Sequence, residues 1–290
     1  MHNVPFFLNV FVKFLQCHEV WGKYRFYEAT KNKCKRRLIR YSIKGCEFSI
    51  PWDQWCFWNN YGPENYYLEE ILPFTQTLND KLTNFDFIDL GADVGVVSAL
   101  VNKHCDGLQN IIALEPNPTV FGVLEKNLNN ISSLHKAYHQ AISDFKGYAL
   151  FNYNMEKGSD HEGHLVIDKK EKALKVKTKV TTLDDLIADN NLRINQNIAL
   201  KIDVEGQEKA MLKGGKRTII NADKVVLLLE LHPEVLARGN QTPEDILNEA
   251  EKLRSFKWTV PVQENRPIDR TRNFYDQFPL QQYDIIGISD

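Results

Sequence analysis

From Phe85 onwards, short apolar runs alternate with segments in which apolar residues recur at helical spacing. The runs "FDFIDL", "NIIALE", "NIALKID" and "KVVLLLEL" are typical of strands that are buried on both faces of a sheet. Helical segments such as "VVSALVNKH" and "NPTVFGVLEKNLNN" separate these strands, and Pro118 suits the first turn of the latter. We expect "AYHQAIS" to form a third strand. The alternation predicts an α/β fold with a doubly wound, mostly parallel sheet.

Residues 148–182 have a different pattern. "GYALFNY" and "LKVKTKVTTL" alternate like strands with one exposed face, and a polar, glycine-containing segment lies between them. We expect an inserted hairpin and loop here, and such loops often cover sites. Thr182 then suits the N-cap of a helix that has Asp184 and Asp185 in its first turn. A helix from Thr242 to Phe256 is expected to precede two terminal strands, "KWTVPV" and "YDIIGIS".

The first 80 residues are rich in aromatic side chains and look irregular. The apolar segment "VPFFLNVFVKFLQC" lacks a preceding basic region and a clear cleavage site, and it is too short to span a bilayer. It is interpreted as a packed helix or strand, with a peripheral membrane or partner contact as the alternative. Trp52, Trp55 and Trp58 are either core residues or a platform that stacks on a sugar or base.

Composition narrows the function classes. With 43% hydrophobic residues among 290, the chain can bury a large core. The net charge of -2 predicts no nucleic-acid partner, although the basic stretch "KNKCKRRLIR" could form a solvated turn or contact an anion. Five cysteines without a C-x-x-C pair argue against a disulfide framework and a sulfur-rich zinc site, which favours a reducing cytoplasm.

The turn "DLGADVG" is the first segment with chemical meaning. Gly91 and Gly95 lie where a strand must turn sharply into a helix, but the third glycine of a dinucleotide fingerprint is missing. Asp93, inside this turn, would repel a pyrophosphate and tolerate a cationic sulfonium. Glu115 follows Gly95 by 20 residues at the end of the next strand, where an acid can accept ribose hydroxyls. The turn therefore favours S-adenosylmethionine over NAD.

An ordered set of motifs carries a resemblance to a known family: "FIDLGADVG", "ALEPNP", "AISDFKG", "TTLDDL", "LKIDVEGQEKAMLKGG" and "LLLELHP". With these motifs the chain, from about Tyr61 to its C-terminus, resembles the FkbM-type family of S-adenosylmethionine-dependent methyltransferases. The resemblance implies a Rossmann-like class I methyltransferase fold, with a mostly parallel seven-stranded sheet and an antiparallel last strand. Residues 81–290 would form this domain, with the 148–182 insertion, and residues 1–80 an N-terminal extension that contacts the acceptor or a partner.

The resemblance also assigns cofactor contacts. Asp89, Gly91 and Gly95 would frame the methionine end of the cofactor, with Asp93 where the family usually has Asn. Glu115 would hold the ribose, and Asn117 would lie beside it. The adenine would be bordered by four consecutive residues, Ala141, Ile142, Ser143 and Asp144.

Acidic residues end two of the predicted strands. "LKID" ends at Asp203, and "LLLEL" ends near Glu230 and His232, so both tips should face the crevice beside "GADVG". A hydroxyl acceptor must lose its proton, so a carboxylate or imidazole is expected beside it. Asp203 is the first candidate for the base or acceptor-orienting group, and His232 is the second.

Neighbouring charged residues have weaker assignments. Glu205 would support the acceptor or a loop, and Glu208 is interpreted as a partner of its helix dipole. Lys201 forms either a structural ion pair or part of the catalytic machinery. No metal is predicted, although Mg²⁺ or Mn²⁺ on an oxygen-rich set remains an alternative. That set comprises Asp203, Glu205, Glu230 and His232.

Together these features predict a cytoplasmic methyltransferase that acts on a hydroxyl of a sugar, glycoconjugate or related natural product. Its partner would be a small-molecule or glycan acceptor, and neither nucleic acid nor a transmembrane segment is expected. Known members of the family are mainly O-methyltransferases of this kind. Two alternatives stay open: a non-catalytic binding protein with the cofactor fold, suggested by Asp93, and an NAD-dependent oxidoreductase.

Overall fold

The computed structural model describes residues 1–18, 20–54, 62–66, 68–132, 134–154, 163–166 and 175–290. The helices are α1 Phe6–Cys17, α2 Lys23–Cys34, α3 Pro63–Tyr66, α4 Leu68–Lys81, α5 Val96–His104, α6 Pro118–Ile131, α7 Leu183–Asp189, α8 Glu208–Gly214, α9 Lys216–Asn221, α10 Pro233–Arg238 and α11 Pro243–Glu251. The strands are β1 His2–Asn3, β2 Arg37–Ile43, β3 Cys46–Pro51, β4 Phe85–Leu90, β5 Leu108–Leu114, β6 His135–Tyr138, β7 Ala141–Ile142, β8 Gly147–Asn152, β9 His164–Leu165, β10 Lys175–Thr181, β11 Asn197–Ile202, β12 Lys224–Leu231, β13 Phe256–Val260, β14 Arg266–Pro267 and β15 Tyr283–Ser289. None of these helices is long and apolar enough to cross a membrane.

A large mixed sheet lies at the centre of the described chain, in the order β14-β13-β15-β12-β11-β4-β5-β6. Neighbouring strands from β6 to β12 are parallel, whereas β15 is antiparallel to both β12 and β13. The predicted α/β fold is confirmed. The sheet has eight strands among the described residues rather than seven, because the short β14 pairs with β13 at its edge.

Helices cover both faces of this sheet, which explains its continuous apolar runs. All six residues of β4 are buried. Phe85 and Phe87 pack on one side with residues of α4, α5 and α6. Ile88 and Leu90 pack on the other side with residues of α7, α8 and α11. Because β4, β5, β6, β11 and β12 are parallel, their carboxyl ends meet at one edge of the sheet. This edge lies between the two hydrophobic layers.

The N-terminal segment is more regular than its sequence suggests, because it contains α1, α2 and the antiparallel β2–β3 hairpin. The hairpin side chains Leu38, Phe48 and Ile50 belong to the same hydrophobic core as α5 and α6. Asn127 of α6 accepts from the backbone nitrogen of Ser49 at 2.8 Å and donates to its carbonyl at 2.8 Å. The hairpin is therefore held on the large sheet by apolar packing and paired hydrogen bonds.

Several predicted details can be compared with this structure. Trp52 is fully buried, as a core residue would be, whereas Trp55 and Trp58 lie outside the described residues. The prediction of one strand in "AYHQAIS" is wrong. Here β6 ends at Tyr138, and Ala141–Ile142 pairs with β10 in a separate four-stranded sheet.

Two other predictions concern the capped helices and the cysteines. Thr182 caps α7 by accepting from the backbone nitrogen of Asp185. The helix expected from Thr242 to Phe256 ends at Glu251, because Phe256 already pairs in β13.

Free thiols occur among the described cysteines, namely Cys17, Cys34, Cys46 and Cys105.

Candidate active site

The turn between β4 and α5 has backbone angles that explain why two of its residues are glycines. Gly91, Asp93 and Gly95 have φ values of 77°, 46° and 85°, in the left-handed region that favours glycine. A Cβ on Gly91 would lie 1.7 Å from the carbonyl oxygen of Asp203. The backbone nitrogens of Gly91 and Ala92 both donate to the carbonyl of Leu114. The turn is thus held between the ends of β5 and β11.

Glu115 lies beside this turn at the end of β5 and is buried. Its two carboxylate oxygens accept from the backbone nitrogens of Asp93 at 2.8 Å and Asn117 at 2.7 Å. Asn117 in turn caps α6 by accepting from the backbone nitrogen of Thr119 at 2.9 Å. Burial, reinforced by the charge of Asp93, raises the pKa of Glu115 to about 8. Each oxygen can accept a second hydrogen bond from a bound hydroxyl.

Lys201 joins the turn to the acidic strand end. Its Nζ donates to the carbonyl of Gly91 at 2.9 Å and to Asp203 Oδ2 at 2.8 Å, and lies 3.9 Å from Asp89 Oδ1. Burial would lower the pKa of Lys201, but the carboxylates of Asp203 and Asp89 together raise it above its usual value. These contacts are those of a structural ion pair that fixes Asp203.

Carboxylates from three strand ends converge beyond Lys201. Asp203, Glu205 and Glu230 each offer an oxygen, and these atoms lie within 4.8 Å of one another. Asp284 joins them because β15 pairs antiparallel with β12, opposite Glu230. Burial raises the pKa of Glu230 well above its usual value, with Asp203 and Asp284 adding to the effect, and it raises the pKa of Asp284 to about 7. The carboxylate oxygens are also of the kind that Mg²⁺ or Mn²⁺ would accept as ligands.

Glu208 organises the loop that carries these acids. Glu205 and Gly206 have φ values of 51° and 96°, so the chain bends sharply after β11. Glu208 Oε1 accepts from the backbone nitrogens of Gly206 at 3.0 Å and Val204 at 3.3 Å. The side chain is buried, which raises its pKa to about 7. These contacts give Glu208 a structural part in the loop, in addition to its position in the first turn of α8.

The raised pKa of Glu208 predicts a pH-dependent stability. The carboxyl has a pKa near 4.5 in the unfolded chain and about 7 in the folded protein, so the folded state binds more protons between these values. Its contribution to the free energy of unfolding is complete below about pH 4.5 and is lost as the pH rises through about 7. Glu208→Gln should therefore be more stable than wild type at about pH 8, by on the order of 3 kcal/mol. Urea unfolding of the protein without ligand, across this pH range, measures the difference.

Glu234→Gln is the matched control, because Glu234 lies in the first turn of α10 but is exposed. This change should leave the pH dependence of unfolding as it is in wild type. Equal slopes for wild type and Glu208→Gln would contradict the assignment of Glu208 as a buried, protonated group.

A cavity of about 280 Å³ joins the turn to the acidic strand ends. Nine residues predicted for the site line its wall: Gly91, Asp93, Glu115, Ala141, Ile142, Lys201, Asp203, Glu205 and His232. The other predicted residues are not among the described residues that line it: Asp89, Gly95, Asn117, Ser143 and Asp144. Among these, Asp89 is fully buried and accepts from Ser98 Oγ at 2.6 Å, Ser143 donates to Gln207 at 2.9 Å, and Asp144 is exposed. A cofactor contact stays a prediction for all of the predicted residues, whether or not they line the cavity.

Sequence reasoning missed five polar residues of this wall: Gln140, His164, Gln207, Gln282 and Asp284. Gln140 is buried, and its Oε1 has no hydrogen-bond partner among the described residues. Its polar side chain within the apolar "AYHQAIS" was the available signal, because buried polar groups need partners. Gln282, which donates to Glu230, and Asp284 come from the last strand and its approach, where no local motif marks them.

Comparison with known proteins assigns the chain to a family. The family described as methyltransferase FkbM domain matches residues 89–256, more than half of the chain. The chain belongs to the FkbM methyltransferase family. This membership confirms the resemblance carried by the motifs, over a shorter range than from about Tyr61 to the C-terminus. S-adenosylmethionine is the methyl donor that this family implies.

Solved structures of methyltransferases are similar to this FkbM family member. The FkbM methyltransferase of Methylobacillus flagellatus KT is 16% identical, with a TM-score of 0.44 over 80% of this chain and 52% of that chain. TYW2 of M. jannaschii, solved with AdoMet, is 11% identical, with a TM-score of 0.41 over 87% and 84%. This chain thus spans about half the length of its Methylobacillus relative. No curated protein matches it in sequence.

Proposed function

We propose that this protein is an S-adenosylmethionine-dependent O-methyltransferase that acts on a hydroxyl of a sugar, glycoconjugate or related natural product. One observation carries the proposal: a single cavity connects the glycine turn and Glu115 with Asp203 and His232. A methyl donor bound along the glycine turn and Glu115 would lie next to an acceptor held by Asp203 and His232. Membership of the FkbM family supports the methyl donor.

The cavity wall fits a cationic donor. It carries six carboxylate side chains, and Lys201 is the only Lys or Arg among its described lining residues. The carboxylates are Asp93, Glu115, Asp203, Glu205, Glu230 and Asp284. The ionised members of this set attract a sulfonium or ammonium and repel a pyrophosphate, which argues against NAD. When bound, S-adenosylmethionine would supply an electrophilic methyl group, and Gln140 Oε1 could accept from its adenine amino group.

Asp203 is the proposed base for the acceptor hydroxyl. Lys201 holds Asp203 Oδ2 at 2.8 Å, which orients the carboxylate toward the cavity that both residues line. Glu230 is a weaker candidate, because burial and the neighbouring Asp203 and Asp284 raise its pKa and favour its neutral form. His232 is the second candidate, because it lines the same cavity and its Nδ1 has no hydrogen-bond partner in the described part of the chain. Glu205 would support the acceptor from the adjoining bend.

Choice of the acceptor is assigned to the two parts outside the cofactor core, residues 1–80 and the 148–182 insertion. The division of the chain into these parts and the 81–290 domain is itself a proposal. Gly163, His164 and Leu165 of the insertion line the cavity, which supports this assignment. Most of the loop around them lies outside the described residues.

Titration calorimetry tests the first step. The protein should bind S-adenosylmethionine and S-adenosylhomocysteine, and failure to bind either would remove the proposal. Incubation with isotope-labelled S-adenosylmethionine and a panel of glycans, analysed by mass spectrometry, should then show a labelled O-methyl product. Cofactor binding without transfer to any acceptor would favour the non-catalytic alternative that Asp93 suggests. Binding of NAD alone would favour an oxidoreductase.

The ribose assignment predicts a loss of cofactor affinity in Glu115→Gln. An amide replaces one acceptor oxygen by an NH2 donor, which would face the backbone nitrogen of Asp93 or Asn117, so the Kd for S-adenosylmethionine should rise about 10- to 100-fold. Calorimetry measures this change. The control is Glu125→Gln on the exposed side of α6, which should bind as wild type does. An unchanged Kd in Glu115→Gln would contradict the ribose contact.

A further inference from the structure

Helix α1 exposes a continuous row of apolar side chains. Phe6 and Phe7 are each 74% exposed. These and three further exposed residues of α1 lie on one side of the helix and form a surface called here the aromatic face. The aromatic face comprises Phe6, Phe7, Val10, Phe11 and Phe14.

The opposite side of α1 is unusually polar for a packed surface. Asn9 and Gln16 are buried together with Val12 and Leu15. Asn9 Nδ2 donates to the carbonyl of Arg40 at 3.2 Å, and its Oδ1 accepts from the Arg40 backbone nitrogen at 2.7 Å. Gln16 donates to the hydroxyl of Tyr41. The hydrogen bonds to β2 thus hold the polar side inward, which directs the aromatic face to the outside.

Basic residues surround this helix. Residues 1–44 contain ten Lys and Arg against two Glu, although the whole chain has a net charge of -2. Parallel pairing of β1 with β2 sets Arg37 beside His2, shortly before α1 begins. After α1, Trp21 is 87% exposed and the guanidinium of Arg25 lies 5.2 Å from its ring centroid. Both ends of α1 are therefore accompanied by cationic side chains.

We propose that the aromatic face docks on the surface of an anionic lipid bilayer. The 12-residue α1 is too short to cross a bilayer, so it would lie flat, with its Phe side chains among the acyl chains. Trp21 suits the headgroup region, and the Lys and Arg residues would meet acidic headgroups. A nucleic acid would satisfy the basic residues but leave the Phe and Val side chains in water. This inference does not depend on the proposed methyl transfer.

Co-sedimentation with vesicles tests the apolar part of this surface. The full chain should sediment with vesicles of phosphatidylcholine and phosphatidylserine, and Phe6→Ser/Phe7→Ser should reduce the partition coefficient at least tenfold. The matched control is Leu134→Ser/Leu280→Ser, because Leu280 is also 74% exposed but lies far along the chain from α1. Circular dichroism and thermal melting of each variant verify its fold.

A second pair of variants tests the charges. Lys33→Glu/Lys35→Glu should weaken binding to phosphatidylserine vesicles, and added salt should weaken the binding of wild type in the same way. Charge reversal at two other exposed positions, Lys136→Glu/Lys213→Glu, should have a smaller effect. The proposal is overturned if wild type stays in the supernatant with the vesicles that contain phosphatidylserine. It is also overturned if folded Phe6→Ser/Phe7→Ser binds as well as its control, or if the chain binds single-stranded RNA and no vesicle.

Discussion

Asp203→Asn should lower kcat for methyl transfer by about 10²- to 10⁴-fold, the usual contribution of a general base. An amide cannot take the acceptor proton, but its oxygen can still accept from Lys201 Nζ, which lies 2.8 Å from Asp203 Oδ2. The cavity should therefore keep its shape. Initial rates with labelled S-adenosylmethionine and an accepted glycan measure kcat, and calorimetry should show a Kd for S-adenosylmethionine close to that of wild type.

Asp284→Asn separates loss of the base from loss of a negative charge. Asp284 lines the same cavity, and its raised pKa of about 7 leaves it partly protonated already. This variant should retain much more of kcat than Asp203→Asn does. If Asp203→Asn transfers methyl groups at the wild-type rate, Asp203 is not the base, and His232→Gln becomes the next variant to measure.

Gly91→Ala should be more damaging than alanine at any other described glycine, because its Cβ would make the shortest contact among them. The added Cβ would lie 1.7 Å from the carbonyl oxygen of Asp203, and the φ of 77° disfavours any residue with a Cβ. To remove this clash, the turn would have to move away from the end of β11. That movement would also disturb the hydrogen bond from Lys201 Nζ to the carbonyl of Gly91. We expect a loss of on the order of 3 to 5 kcal/mol in the free energy of unfolding, together with loss of S-adenosylmethionine binding. Urea unfolding and calorimetry measure the two effects.

Gly122→Ala adds the same methyl at a permissive position. Gly122 lies within α6, and a Cβ there would have no heavy atom within 4 Å. Alanine is favoured over glycine inside a helix, so this control should gain about 0.5 to 1 kcal/mol. Equal stabilities of Gly91→Ala and Gly122→Ala would mean that the turn does not press against β11 as the structure shows.

The parts of the fold that rest on local physics could be read from the sequence. Buried strands such as β4 are continuous apolar runs. Gly91 and Gly95 occupy the positions of the turn where the backbone has a positive φ. The N-cap at Thr182 is equally local, because its hydroxyl bonds only three residues away. The third strand was misread because "AYHQAIS" changes sheets at Gln140, and pairing with β10 is decided far along the chain.

For the site, motif order and strand polarity were enough to bring Glu115, Lys201, Asp203 and His232 to one cavity. Asp284 could not be foreseen, because it reaches the acids only through the antiparallel pairing of β15 with β12. The structural role of Lys201 was also open, since two of its three oxygen partners, Asp89 and Gly91, lie about 110 residues away along the chain.

Neighbouring residues were enough to specify the alternating elements, the turn after the first strand of the sheet, the acids at the strand ends and membership of a methyltransferase family. Packing between distant segments places Gly91 against Asp203, buries Glu208 within its loop and leaves the Phe side chains of α1 facing outward. These outcomes depend on which distant segments pack together. Side-chain burial and hydrogen bonding between such segments are properties of the folded chain, and no local pattern contains them.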